Sequence, residues 1–284
     1  MTDAGATHPD ATLRLEADGA VRRLVLNRPD RHNAQTLGMW QEFGALGELL
    51  VNDSDVRCVV VTGAGQSFSS GLDSRELQPG GHLAYIAQVG LDDPELAATM
   101  IRRIQQCFSW IRTAPFPVIA AVRGAALGAG FELALACDIR IVADDARFAL
   151  PEVPMGVVPD LGGCNALRAV LGYQRALDLV VTGRSIDGHE AHTLGLALQH
   201  LPEAQVEDAA MRYAHTVARA PRAALEYAKR ALVEQDDAAS LAHAATGMVL
   251  GLGHLLGTRT GHAPVEQAEQ PQAPADPVAA GFTS

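Results

Sequence analysis

Pro117-Val-Ile-Ala-Ala-Val-Arg-Gly-Ala-Ala-Leu-Gly-Ala-Gly-Phe-Glu-Leu-Ala-Leu-Ala-Cys-Asp138 is the stretch whose reading decides the fold. It opens with a Val/Ile/Ala run typical of a strand buried on both faces, Val118 to Val122. It then crosses a Gly/Ala-rich turn, Gly124 to Gly130, into an apolar helix, Phe131 to Cys137. The strand Ile139 to Ala143 and a short extended piece, Arg147 to Leu150, follow. At the start of that helix, unpaired N–H groups and the positive end of the helix dipole face whatever binds there. Gly128 and Gly130 supply two glycines of a dinucleotide fingerprint, but Leu133 stands at the third position, so that reading fails.

Upstream, the same alternation begins with two β segments, Thr12 to Ala17 and Val21 to Leu26, around the hairpin dipeptide Asp18-Gly19. A helix over Leu37 to Leu50, a Val-rich strand over Arg57 to Thr62 and a helix over Glu95 to Ile111 come next, the last stopped by Ala114-Pro115-Phe116-Pro117. Strands alternating with helices predict an α/β fold. After Asp160 the pattern is helical: Leu161 to Leu171, Gln174 to Thr182, a segment between Ser185 and Gly195, Glu203 to Ala218, and Pro221 to Gln235. The expected organisation is a flexible start over 1–11, an α/β core over 12–200, a helical region over 201–261 and a disordered Pro/Ala/Gln-rich tail over 262–284.

Composition narrows the function. The chain has 284 residues, 48% of them hydrophobic, and a net charge of −11, which disfavours nucleic-acid binding, since phosphate neutralisation needs clustered Lys and Arg. No run of about 18 apolar residues reads as a membrane span, and MTDAGATHPD lacks the features of a secretory leader, so a cytoplasmic protein is expected. Cys58, Cys107, Cys137 and Cys164 form no CxxC pair and are read as reduced, mostly buried thiols. His189-Glu190-Ala191-His192 spaces its histidines by three rather than four, so it is read as a solvated helix face and no metal is expected. Ser67, Ser69 and Ser70 lack a GxSxG elbow.

Two carboxylates stand in apolar surroundings: Glu132 in the first turn of the Gly-rich helix, and Glu152 within Phe148-Ala-Leu-Pro-Glu-Val-Pro-Met-Gly-Val-Val-Pro-Asp-Leu-Gly-Gly163. Burial raises the pKa of such groups and suits them to proton transfer. Asp160 lies further along the same stretch, where a purely structural role would be to cap the helix starting at Leu161.

Taken together, Asn27-Arg28-Pro29 with Asn33-Ala34, Phe68-Ser-Ser-Gly-Leu-Asp73, Gly128-Ala-Gly-Phe-Glu132 and the Glu152 segment resemble the crotonase superfamily of enoyl-CoA hydratases and isomerases, over about Leu24 to Glu234. The resemblance implies a spiral of ββα units with a helical C-terminal oligomerisation region that packs in trimers, often paired into hexamers. It implies oxyanion donors at the backbone N–H of Leu72 and Ala129, and hydratase carboxylates at Glu132 and Glu152. Asp160 falls where dienoyl-CoA isomerases of the superfamily carry a further acid and typical hydratases a small residue. Contacts to the acyl-CoA substrate are expected from Arg28, Arg31, His32, Ser70, Asp73 and Gly128, with Arg31 first among the candidates for the coenzyme phosphates. Three activities stay open on these residues: hydration of a 2-enoyl-CoA in fatty acid β-oxidation, dienoyl-CoA isomerisation through Glu152 and Asp160, and acyl-CoA binding without catalysis. None needs a cofactor beyond the coenzyme A of the substrate. Beyond about Leu232 the family's usual closing helix is not recognisable.

Overall fold

The structure, a computed structural model, describes residues 11–233. The expectations for 1–10 and for 234–284, the tail among them, lie outside the described residues.

The hairpin is β1 (Leu13–Asp18) and β2 (Val21–Leu26), antiparallel, with Leu13 opposite Leu26. Helix α1 (Leu37–Asn52) follows, its first turn capped by the Thr36 hydroxyl, which accepts from the Met39 amide at 3.2 Å. Next come β3 (Cys58–Gly63), α2 (His82–Asp92) and α3 (Pro94–Thr113). Pro94 stands at the first helical position of α3, and the Asp93 carboxylate caps the Leu96 amide. Helix α2 was not expected from the sequence, although its buried Leu83, Ile86 and Ala87 stand at helical spacing.

The deciding stretch folds as β4 (Val118–Val122), β5 (Ala125–Leu127) and α4 (Ala129–Ala136). The expected turn thus contains a short strand, and the helix starts two residues earlier than its apolar pattern suggested. Strands β6 (Ile139–Ala143) and β7 (Arg147–Ala149) repeat the unit, and α5 (Gly163–Leu171), α6 (Tyr173–Thr182), α7 (Gly188–Thr193), β8 (Gln199–Leu201), α8 (Glu203–Val217) and α9 (Arg222–Val233) complete the described chain.

The main sheet has the order β1-β2-β3-β4-β6-β8, parallel from β2 onward. Every residue of β3 and β4 is buried, as strands covered on both faces must be. A second, narrower layer runs beside it. Strands β5 and β7 pair in parallel, Ser69 bridges to Ala126, and Gln35 bridges to Leu72. Each turn of the chain therefore lays one long strand in the main sheet and one short extended piece in the second layer, and the turns stack as a spiral. That stacking puts the ends of the short pieces, Leu72, Gly128 and Glu152, side by side.

The helical part is tied to this core by buried charges. The ammonium of Lys229 in α9 donates to the Ile111 and Phe116 carbonyls and sits 2.7 Å from the Asp138 carboxylate. Arg140 gives its guanidinium protons to the carbonyls of Leu196, Ala134 and Cys137. An unpaired charge there would be expensive, so these contacts fix α9 and the β6–β8 region on the sheet.

Candidate active site

The site starts from the end of β5. Leu127 donates its amide to the Ser69 carbonyl at 3.0 Å and Ser69 donates to the Ala125 carbonyl at 2.8 Å, so Ser70-Gly71-Leu72 and Gly128-Ala129 are held against each other. Gly128 turns the chain into α4 with φ of 50°, a conformation that favours glycine. Among the described residues, the amides of Leu72 and Ala129 donate to no protein acceptor. Two neighbouring free N–H groups, one of them at a helix start, form a ready receptor for a developing oxyanion.

Glu132, one turn into α4, is buried at 3% exposure. Its Oε1 accepts the amides of Leu161 at 3.0 Å and Gly163 at 2.9 Å, and a Cβ on Gly163 would come within 2.8 Å of that oxygen. Glycine at 163 is what lets the backbone approach. Burial, and then the charges of Asp160 and Glu152, push the Glu132 carboxyl well above the usual carboxylate range, against the two amides that favour its ionised form.

Glu152 leaves β7 through Leu150-Pro151 and is held in a turn whose Met155 and Val157 amides donate to its carbonyl at 3.0 and 2.9 Å. Its Oε2 is buried and without a hydrogen-bond partner among the described residues. Such an orphaned acceptor costs about 1–3 kcal/mol, a cost that is met at functional sites. Burial raises its pKa to about 7.

Asp160 completes the group. Its carbonyl accepts from the buried Gln105 amide of α3 at 2.6 Å, and burial followed by the Glu152 charge raises its carboxyl to about 8. Asp160 does not cap α5: that helix begins at Gly163 with Gly162 at its cap position. The capping role that a purely structural Asp160 would have is therefore excluded.

All of these groups open on one cavity of about 260 Å³, walled by Trp40, Leu77, Leu83, Ile104, Met155 and Val157. Three carboxyls in an apolar chamber cannot all ionise, so they share protons and titrate as a set. A larger hollow of about 460 Å³ runs beside α4 and α5 and shares Glu132 and Leu161 with the first. It reaches neither Glu152, Asp160 nor the two free amides, so the chemistry belongs to the smaller chamber.

The family profile of enoyl-CoA hydratase/isomerase matches residues 16–250. The chain belongs to the enoyl-CoA hydratase/isomerase family. An assigned enoyl-CoA hydratase of Mycobacterium bovis is 34% identical over 222 residues, covering 78% of this chain and 80% of that protein. The human mitochondrial Δ(3,5)-Δ(2,4)-dienoyl-CoA isomerase is also 34% identical, over 239 residues, covering 81% and 71%. A crystal structure from Thermobifida fusca, assigned as an enoyl-CoA hydratase in complex with acetoacetyl-CoA, matches with a TM-score of 0.73 and 38% identity over 82% of this chain and 91% of that one. The fold is accordingly crotonase-like, an α/β spiral, and this family member is an enzyme of the lyase/isomerase type.

Of the residues singled out in the sequence, Ser70, Leu72, Gly128, Ala129, Glu132, Glu152 and Asp160 line the chamber. Arg28 and Asp73 do not. Their side chains pair at 2.9 Å, Arg28 also donates to the Ala34 carbonyl, and Asp73 is held by Arg75 at 2.7 Å. Hydrogen bonds from Arg75 and Arg28 keep the Asp73 carboxyl far below its ordinary range, so these two residues brace the Leu72 loop instead of offering charge to a ligand. Arg31 and His32 are exposed next to the chamber: the Ser70 amide donates to the His32 carbonyl at 2.8 Å and its hydroxyl to the Arg31 carbonyl at 3.4 Å. The apolar wall from α1, α2 and α3, and Gln105, were missed. No motif marks them; only the tertiary packing brings them to the carboxylates. The four cysteines are free, Cys58 and Cys137 buried, Cys107 and Cys164 only partly so.

Proposed function

We propose that this enzyme hydrates 2-enoyl-CoA thioesters. The observation that carries the reading is the opposition, in one apolar chamber, of two unpaired amides (Leu72, Ala129) and the two carboxyls of Glu132 and Glu152. Adding water across the 2,3 double bond moves negative charge onto the thioester oxygen. Leu72 N–H and Ala129 N–H receive that oxygen, and losing one such donor costs on the order of 3 kcal/mol. Glu132, in the ionised form that the Leu161 and Gly163 amides favour while the shared proton sits on Glu152, takes a proton from water as the hydroxyl adds to C3. Glu152, whose raised pKa of about 7 keeps a proton available near neutrality, protonates C2. Proton transfer from Glu132 back to Glu152 then resets the pair, leaving a 3-hydroxyacyl-CoA. No step uses a cofactor or metal; coenzyme A is part of the substrate. Arg31, exposed and with no ion pair among the described residues, would meet the coenzyme phosphates in this reading.

Dienoyl-CoA isomerisation is the second reading, favoured by one observation: Asp160 faces the same chamber as Glu152 and does not cap α5. In that reaction Glu152 and Asp160 would move a proton between two carbons with no water added. Absorbance traces of the purified enzyme with crotonyl-CoA and with a 3,5-dienoyl-CoA separate the two. Loss of the conjugated enoyl absorbance supports hydration. Turnover of the dienoyl thioester alone would replace it.

The same reading takes the protein as cytoplasmic and as a homotrimer or dimer of trimers. Assembly is supported by an exposed apolar row at helical spacing on α6, Tyr173, Leu177 and Val181, 69%, 41% and 48% exposed. Among the described residues, no helix is long and apolar enough to cross a membrane.

A further inference from the structure

Outside the reaction chamber, three elements bring metal-ligating side chains to one point. Asp144 directly follows β6, His200 is the middle residue of β8, and His189 is the second residue of α7. One ligand atom from each lies within 4.8 Å of the others. Their placement is built into the fold. The Asp144 amide donates to the Leu201 carbonyl at 2.8 Å, extending the β6–β8 pairing, and the Gly188 amide donates to the Asp144 carbonyl at 3.1 Å, which seats the start of α7 on the end of the sheet. The His189 ring then lies against that of His200, centroids 4.4 Å apart.

We propose that Asp144, His189 and His200 bind a divalent transition-metal ion. Two neighbouring acids are engaged elsewhere: the Asp187 carboxylate caps α7 through the Glu190 amide, and Glu190 pairs with Arg184. The ligand atoms that converge are those of two imidazoles and one carboxylate; a third ring, His192, packs 5.0 Å from His200 with its Nδ1 directed to the Ala197 carbonyl at 3.1 Å. That donor set suits Zn²⁺, Co²⁺ or Ni²⁺ and not the oxygen-seeking Mg²⁺ or Ca²⁺. His200 Nδ1 lies 2.7 Å from Asp144 Oδ1. With the ring proton on Nε2, the Nδ1 lone pair and the Asp144 carboxylate converge on one point, where the ion takes the place of the proton that would otherwise lie between them. A bound metal would clip α7 to β6 and β8 at the edge of the sheet. None of its ligands lines the acid chamber, so the site stands apart from the hydration chemistry.

The test is calorimetric titration of Zn²⁺ into the full, tag-free chain, repeated with His189→Ala, Asp144→Asn and His215→Ala. His215 pairs with Asp18 away from the cluster and controls for stray surface histidines. One saturable site per chain is expected, weakened at least about tenfold by His189→Ala and by Asp144→Asn and unchanged by His215→Ala. Circular dichroism melts in chelator should show that the exposed His189 variant keeps the parent fold. Co²⁺ should give the visible absorption of a low-coordinate nitrogen/oxygen site in the parent and not in His189→Ala. Absence of saturable binding, or equal binding by the parent and a folded His189→Ala, would overturn the proposal.

Discussion

A Cβ built on Gly128 would lie 2.8 Å from Glu152 Oε1, at a backbone φ of 50°. The turn that presents the Ala129 amide is thus the same turn that leaves room for the Glu152 carboxylate. Oxyanion receptor and proton donor are set by one glycine.

Gly128→Ala should therefore damage both at once. It strains the turn and pushes on Glu152, and displacement of a catalytic group by a fraction of an ångström to an ångström costs on the order of a hundredfold in rate. The expected result is a folded protein with kcat on an enoyl-CoA reduced about that much. A variant with parental kcat would show that the Gly128–Glu152 contact does not position the acid.

Glu132→Gln and Glu152→Gln each remove a proton-transfer group while nearly keeping its shape. Each should lower turnover by at least about a hundredfold while thioester binding persists, because the Leu72 and Ala129 amides are untouched. Steady-state kinetics beside a direct binding titration checks this. Parental turnover in either variant would remove that residue from the mechanism.

Asp160 makes a prediction about stability with a definite sign. Its folded pKa, about 8, lies above the ordinary value of 3.8, so the folded state holds a proton that the unfolded state gives up between those two pH values. The contribution of this group to stability is full below about pH 4 and is lost as pH rises through 8. Asp160→Asn mimics the protonated form at every pH. Relative to the parent, its Tm should rise from pH 5 to pH 9; a constant difference would show that Asp160 does not titrate in that window. Hydration should largely survive in this variant, since Glu132 and Glu152 suffice, and any dienoyl isomerisation should be lost.

Arg31→Ala should raise KM for the acyl-CoA about tenfold or more at low salt with kcat little changed, the size expected for one charge-assisted phosphate contact, and the effect should shrink as salt increases. Arg28→Ala should behave differently, loosening the Leu72 loop by breaking the Asp73 pair and lowering kcat. Identical KM effects from both would contradict the separate roles given to them.

The buried strands and the acids of the site were legible because they break local expectation. A glutamate in a helix as apolar as Phe131-Glu-Leu-Ala-Leu135 has few structural uses, and the Val and Ala runs of β3 and β4 have one. Asp160 was ambiguous for a physical reason: an aspartate ahead of an apolar periodic segment looks like a cap, and only the start of α5 at Gly163 separates the two roles. Helix α2 was passed over although Leu83, Ile86 and Ala87 carry helical spacing, and the chamber wall was illegible, since residues such as Trp40, Leu83 and Ile104 read as ordinary core until packing brings them to the carboxyls. Arg28 and Asp73 stand 45 residues apart, and the loop crossing that pairs them has no local trace. The Asp144–His189–His200 convergence was hidden in the same way, since only His189 belongs to the motif-like segment.

The central claim is that Glu132 and Glu152 add water to an enoyl thioester held by the Leu72 and Ala129 amides. Its most direct test is mass spectrometry of the product formed from crotonyl-CoA in heavy-oxygen water. The account predicts a 3-hydroxybutyryl-CoA carrying one heavy oxygen from the parent enzyme and almost none from Glu132→Gln or Glu152→Gln over the same time. Unchanged crotonyl-CoA with the parent enzyme, or equal heavy-oxygen incorporation by both variants, would contradict it.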